Sequence, residues 1–225
     1  MSLLERYGRP PAAIEAQSLA HVEACLAPRL PAERGARAVA VRLVYAAGDL
    51  SLIDAVRIDP RAVDQAVEAL AAGRAVVLDV AMVAAGVAGG PLARLGCPLH
   101  VAVAAPQAQE QARERDTTLA AAGMATLAPR WAGGIVAVGN APTALLALLD
   151  LVDAGAPPPA VVIGTPVGFV AAAESKDELT RRAIPYVTVL GTRGGSALAA
   201  AALNALGRLA LDPPRLPSAP GTALQ

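Results

Sequence analysis

The chain predicts a three-layer α/β/α domain built on a mainly parallel sheet. Three observations carry that prediction. Short runs rich in β-branched residues recur at 75–78, 99–103, 135–138, 160–163 and 186–190. The runs are continuously apolar rather than alternating, as expected of strands covered on both faces. Finally, the segments between them are long enough to hold helices, and crossovers of that length imply parallel pairing.

Taken in order, residues 12–26 place Ala, Ile, Leu and Val at helical spacing. Residues 33–46 read as a second helix with Arg34, Arg37 and Arg42 on its polar side, and Gly48 ends it. Asp59-Pro60 is a cap and first-turn pair that opens a helix closing near Ala72-Gly73. From there strands alternate with helical segments at about 80–86, 115–128, 141–154, 174–183 and 195–209. Residues 212–225 hold four prolines and little to bury, so they are expected to form a disordered or loosely attached tail to a single domain over 1–211. No internal repeat of solenoid period is present.

Composition narrows the function classes. A chain of 225 residues buries roughly 70% of its unfolded surface, enough for a sizeable core. One Phe, one Trp and three Tyr leave no stacking platform for nucleic acid. Nineteen basic residues balance nineteen acidic ones, so no net field recruits polyanions or anionic membranes. Cys25 and Cys97 lie far apart with no CxxC pair and no His at metal-site spacing, which argues against a zinc site or a disulfide framework. They are expected to be buried or inert thiols in a reducing cytosol. The N-terminus, with Glu5, Arg6, Arg9 and two prolines, is not a secretory signal. Residues 132–149 and 154–173 are uncharged and span-length, but glycines, Asn140 and Pro142 interrupt the first and four prolines the second. Strand–loop–helix boundaries explain both better than membrane spans. The expected setting is therefore cytoplasmic, with no membrane or nucleic-acid partner.

Chemistry concentrates in three blocks, each following a predicted strand and leading into a predicted helix. They are Gly-Asn-Ala-Pro-Thr-Ala-Leu at 139–145, Pro-Val-Gly-Phe-Val-Ala-Ala-Ala-Glu-Ser-Lys at 166–176 and Gly-Thr-Arg-Gly-Gly-Ser-Ala at 191–197. Ligands gather beyond the C-terminal ends of strands in such sheets, where backbone N–H groups stay free. In the first block the amides around Gly139 and Asn140 could dock a carboxylate, with Pro142 suited to the first helical turn. In the second, Gly164, Pro166 and Gly168 keep the backbone open, and Lys176 in a first helical turn would oppose the macrodipole. The third block has neither Walker nor dinucleotide spacing. Its Arg193 suits a carboxylate, which a guanidinium binds at two points.

Taken together the blocks closely resemble the C-terminal half of the precorrin-8X methylmutases, isomerases of corrin-ring biosynthesis, and the resemblance extends weakly upstream to about Ile14. It implies an α/β homodimer whose pocket lies at or near the subunit interface, a tetrapyrrole substrate, and no metal or organic cofactor. The implied substrate-binding residues are Ser18, Arg42, Gly139, Asn140, Thr143, Gly168, Glu174, Ser175, Lys176, Arg193, Gly194, Gly195 and Ser196. Val41 to Asp49 resembles the segment that carries the family's catalytic histidine, and that position is Tyr45 here. His21 and His100 fall outside matching positions and read as packing or surface residues. The family's Thr-Arg pair before the middle helix is Thr117-Thr118.

The implied reaction moves a methyl group from carbon 11 to carbon 12 of the macrocycle, helped by proton donation to a ring nitrogen. An imidazole titrates at about 6.5 and a phenol at about 10, so Tyr45 is the weaker acid at neutral pH. Three readings stay open: a precorrin-8X isomerase yielding hydrogenobyrinate, a catalytically impaired paralogue that binds or carries a corrinoid, and an isomerase of a different tetrapyrrole. The sequence leaves undecided whether the substrate is metal-free or holds cobalt.

Overall fold

A computed structural model describes residues 2–8 and 10–212. The Pro-rich tail, beyond Asp212, lies outside the described residues. Six strands form one sheet: β1 (Val56–Ile58), β2 (Val76–Leu78), β3 (Leu99–Val101), β4 (Ile135–Val138), β5 (Val161–Gly164) and β6 (Tyr186–Val189), in the order β1-β6-β5-β4-β2-β3. The pairs β6-β5, β5-β4, β4-β2 and β2-β3 are parallel, which bears out the expected mainly parallel sheet. β1 is antiparallel to β6, with Val56 opposite Val189. It went unpredicted because Val-Arg-Ile is too short to show a period; its edge position beside β6 makes it a strand.

The helices are α1 (Leu3–Tyr7), α2 (Pro11–Leu26), α3 (Arg34–Ala47), α4 (Ala62–Ala71), α5 (Ala81–Val87), α6 (Pro91–Arg94), α7 (Ala108–Glu114), α8 (Leu119–Leu127), α9 (Pro142–Asp153), α10 (Ala172–Thr180) and α11 (Ser196–Leu211). Successive strand residues point to opposite faces, and the two cores divide accordingly. Leu78, Ile135, Ala137, Ile163 and Val187 pack with residues of α3, α4, α5 and α11. Val77, Val136, Val138 and Val162 pack with residues of α8, α9 and α10.

Side-chain and glycine caps set where the helices beside the site begin and end. Glu33 caps α3 by accepting from the Gly35 and Ala36 amides, and Gly48, at φ 63°, closes it by donating to Val44 and Tyr45 carbonyls. That left-handed cap lets the chain turn sharply after Tyr45 and leads it into Asp49. The helix expected over 115–128 begins later, as α8, and a separate unpredicted helix, α7, precedes it, with Asp116 (φ 48°) between the two. The Thr118 hydroxyl starts α8 by accepting from the Ala121 amide, the role for which Thr outcompetes a continuous helix.

From β2 the chain runs outward to β3, returns to β4 on the other side of β2, and continues through β5 to β6. The order therefore reverses between β2 and β4, and the crevice beyond those strand ends is where a ligand is expected.

Candidate active site

In this structure the switch-point crevice is filled from within. Asp79, directly after β2 and fully buried, accepts hydrogen bonds from the backbone amides of Gly139 (3.0 Å), Asn140 (2.7 Å) and Ala141 (2.8 Å). The carboxylate thus meets the N-terminus of α9, where the macrodipole favours negative charge. The amides expected to be free for a ligand are those that Asp79 engages, which corrects that part of the sequence reading. Gly139 is buried, and a Cβ there would press on Ser196 and Val83. Asn140 stays exposed. The Thr143 hydroxyl lies 2.7 Å from that of Thr118, so the altered Thr-Thr pair is tied to the first block.

The second and third blocks are laced together. The Gly195 amide donates to the Thr165 carbonyl (2.7 Å) and the Gly168 amide to the Thr192 carbonyl (3.1 Å). At Gly194 a Cβ would overlap the carbonyl oxygens of Thr165 and Pro166, which explains the glycine. Lys176 is fully buried and donates to the carbonyls of Pro166 (3.0 Å) and Arg193 (2.8 Å), one from each loop. Burial pulls its ammonium down to a pKa of about 8, with Asp177 opposing weakly. Lys176 also stands in the second turn of α10, not the first; Glu174, exposed, takes the first turn that suits its charge. Ser175 is buried and donates to the Ala172 carbonyl (3.1 Å), and Ser196 is buried at the start of α11. The Lys176 ammonium is thus engaged in tying the two loops together, and the Ser175 hydroxyl in a bond within α10. The tip of the second loop, Val167, Phe169 and Val170, stands out in solvent, with Phe169 93% exposed.

Ser18 and Tyr45 are brought to one cavity. They line a cavity of about 590 Å³ between α2 and the end of α3, together with Gln17, His21, Val22, Val44, Gly48, Asp49 and Leu50. The third block reaches this cavity through an ion pair: Arg193 donates to Asp49 at 2.7 Å and to the Ser51 hydroxyl at 3.0 Å. Hydrogen bonds from Ser51, then the Arg193 charge, hold the Asp49 carboxyl below its usual range.

Arg42 is directed elsewhere. One turn before Tyr45 on α3, it pairs with Glu15, one turn before Ser18 on α2, and that contact holds the Glu15 carboxyl below its usual range. Arg42 lines a separate cleft of about 660 Å³ with Arg34, Arg94 and Arg208. Of the two thiols, Cys97 is buried, and burial raises its pKa. Cys25 is exposed, its thiol 3.6 Å from the His21 Nε2 one turn earlier on α2. No helix among the described residues is long and apolar enough to cross a membrane.

The family model described as precorrin-8X methylmutase matches residues 13–209. The chain belongs to the precorrin-8X methylmutase family. A Pseudomonas aeruginosa precorrin-8X methylmutase is 45% identical over 173 residues, which cover 75% of this chain and 81% of that protein. A cobalt-precorrin-8 methylmutase of Priestia megaterium is 39% identical over 169 residues, 75% of each chain. A crystal structure of the Thermus thermophilus precorrin-8X methylmutase superposes with a TM-score of 0.82 at 36% identity, covering 89% of this chain and 97% of that one.

Sequence reasoning missed two residues of this region, Asp79 and Asp49. For Asp79 the signal was an acid placed directly after an apolar strand. His21, read as a packing or surface residue, is exposed and lines the cavity.

Proposed function

We propose that the protein is an isomerase of cobalamin biosynthesis that moves the methyl group of precorrin-8X from carbon 11 to carbon 12, giving hydrogenobyrinate. What carries the reading is the cavity shared by Ser18 and Tyr45 and joined to the Gly-rich third block by the Asp49–Arg193 pair. Tyr45 takes the position that the family resemblance gives to a histidine, and its phenol faces the reacting ring. Arg193, 43% exposed at the side chain, receives one substrate carboxylate. Arg42 and its neighbouring arginines receive others beyond the Glu15 pair. Lys176 and Asp79 serve by fixing the loops, and the reaction is an internal rearrangement in which nothing is oxidised or reduced. The exposed apolar tip at Val167, Phe169 and Val170 favours a homodimer that covers it, working in the cytoplasm.

The test is incubation with precorrin-8X, and separately with its cobalt form, while following the product spectrum. Conversion of either supports the isomerase and names the substrate form. Tight binding of hydrogenobyrinic acid without conversion of either defeats it. In that case the second reading holds, a corrinoid carrier, which Tyr45 favours. A Tyr45→His variant that turns a silent protein active would mark it.

A further inference from the structure

We propose that His21 is a catalytic residue of this chain, the group on α2 that lends the proton to the substrate ring in the cavity shared with Ser18 and Tyr45. The inference rests on the isomerase reading above. Gln17, Ser18, His21 and Val22 fall at the spacing of one helix face, and that face forms one wall of the cavity. Val44, Tyr45 and Gly48 form the opposite wall by the same spacing on α3. His21 is exposed there. The chain's other histidine, His100, sits on the edge strand β3 opposite Val77. One imidazole therefore lines the cavity that the phenol also lines.

On its own helix, the Cys25 thiol is 3.6 Å from the His21 Nε2. Tyr45 and the Asp49 carboxylate line the same cavity. Of the other charged groups on the packed elements, Glu15 pairs with Arg42, Glu23 with Arg37 and Arg29 with Asp54, while Arg34 lines the separate cleft. In the step itself an imidazolium N–H bond breaks as the ring N–H bond forms. The carbon 11–methyl bond breaks while the carbon 12–methyl bond forms. The ring proton then returns to the imidazole, so no proton, oxidant or reductant is consumed. Tyr45 hydrogen-bonds the macrocycle instead of supplying the proton.

The experiment compares wild type, His21→Gln and His21→Ala for turnover of precorrin-8X across pH 5–9, with hydrogenobyrinic acid titrations to measure binding. The expected wild-type rate falls as pH rises and the donating group gives up its proton. Both variants lose about a hundredfold or more in kcat, lose that pH limb, and bind product within about threefold of wild type. Added imidazole partly restores His21→Ala, which a structural role for the side chain does not predict. An active wild type whose His21 variants keep its rate and pH profile overturns the proposal and leaves the isomerase reading standing. An inactive wild type overturns both.

Discussion

Lys176→Met tests the internal bracing of the site most directly. The substitution keeps length and shape but removes an ammonium that is fully buried and donates to Pro166 and Arg193 carbonyls. Two effects oppose. A fall in pKa from the ordinary 10.5 to about 8, at ~1.4 kcal/mol per pH unit, means the buried charge costs about 3 kcal/mol below pH 8. Losing the donors orphans two carbonyls at about 1–3 kcal/mol each. Near pH 7 these nearly cancel, so the midpoint of urea unfolding moves little. The pH dependence does not cancel. Because the folded pKa lies below the unfolded one, the unfolded chain holds a proton that the native chain has released between pH 8 and 10.5. Wild-type stability therefore gains about 3 kcal/mol across that window relative to the variant, while below pH 8 the difference is constant. Urea denaturation of both proteins at intervals from pH 7 to 10.5 measures it. Parallel curves throughout would refute the assignment of Lys176 as a buried, charged brace. The same variant, with its two loops untied, is expected to lose turnover out of proportion to its stability.

Two further outcomes are expected from the same geometry. Asp79→Asn leaves an amide group facing three backbone N–H donors, so one or two go unpaired; calorimetry should show a loss of about 2–4 kcal/mol, or roughly 5–15 °C in Tm for a chain this size. Arg193→Ala severs an exposed pair with Asp49 and should shift Tm little, while KM for the polycarboxylate substrate rises about tenfold to a hundredfold.

Most of the framework could be read from the sequence because it is written in local pattern. The parallel strands are apolar runs long enough to recognise, and α3 carries both its Glu33 cap and its Gly48 stop. What could not be read depends on partners distant in sequence. β1 exists because β6 lies beside it. The break before α8 needed the Thr118 side chain to outweigh an otherwise helical run. In the site, the blocks were recognisable as loops at strand ends, and Ser18 and Tyr45, both singled out in the sequence, line one cavity. The use of the polar groups was not recognisable. A row of free amides looks the same in sequence whether a ligand or Asp79 fills it, and a lysine beside a Gly-rich loop looks the same whether it faces solvent or two carbonyls.

That distinction separates two kinds of charge in this molecule. Asp79 and Lys176 are buried and each satisfies backbone groups from a loop other than its own. Withdrawing either to bind a ligand would leave two or three polar groups unpaired in a dry interior, a penalty that a single new contact does not offset. Arg193 and Arg42 hold their partners Asp49 and Glu15 at partly exposed positions, where an ion pair contributes little and exchanges readily. A polyanionic substrate can displace those carboxylates at small cost, because water already competes for them. The buried charges therefore set the shape of the loops before any ligand arrives. The exposed pairs are the ones that can open: Asp49 of the Asp49–Arg193 pair lines the cavity shared by Ser18 and Tyr45, and the Glu15–Arg42 pair lies one turn earlier on the same two helices.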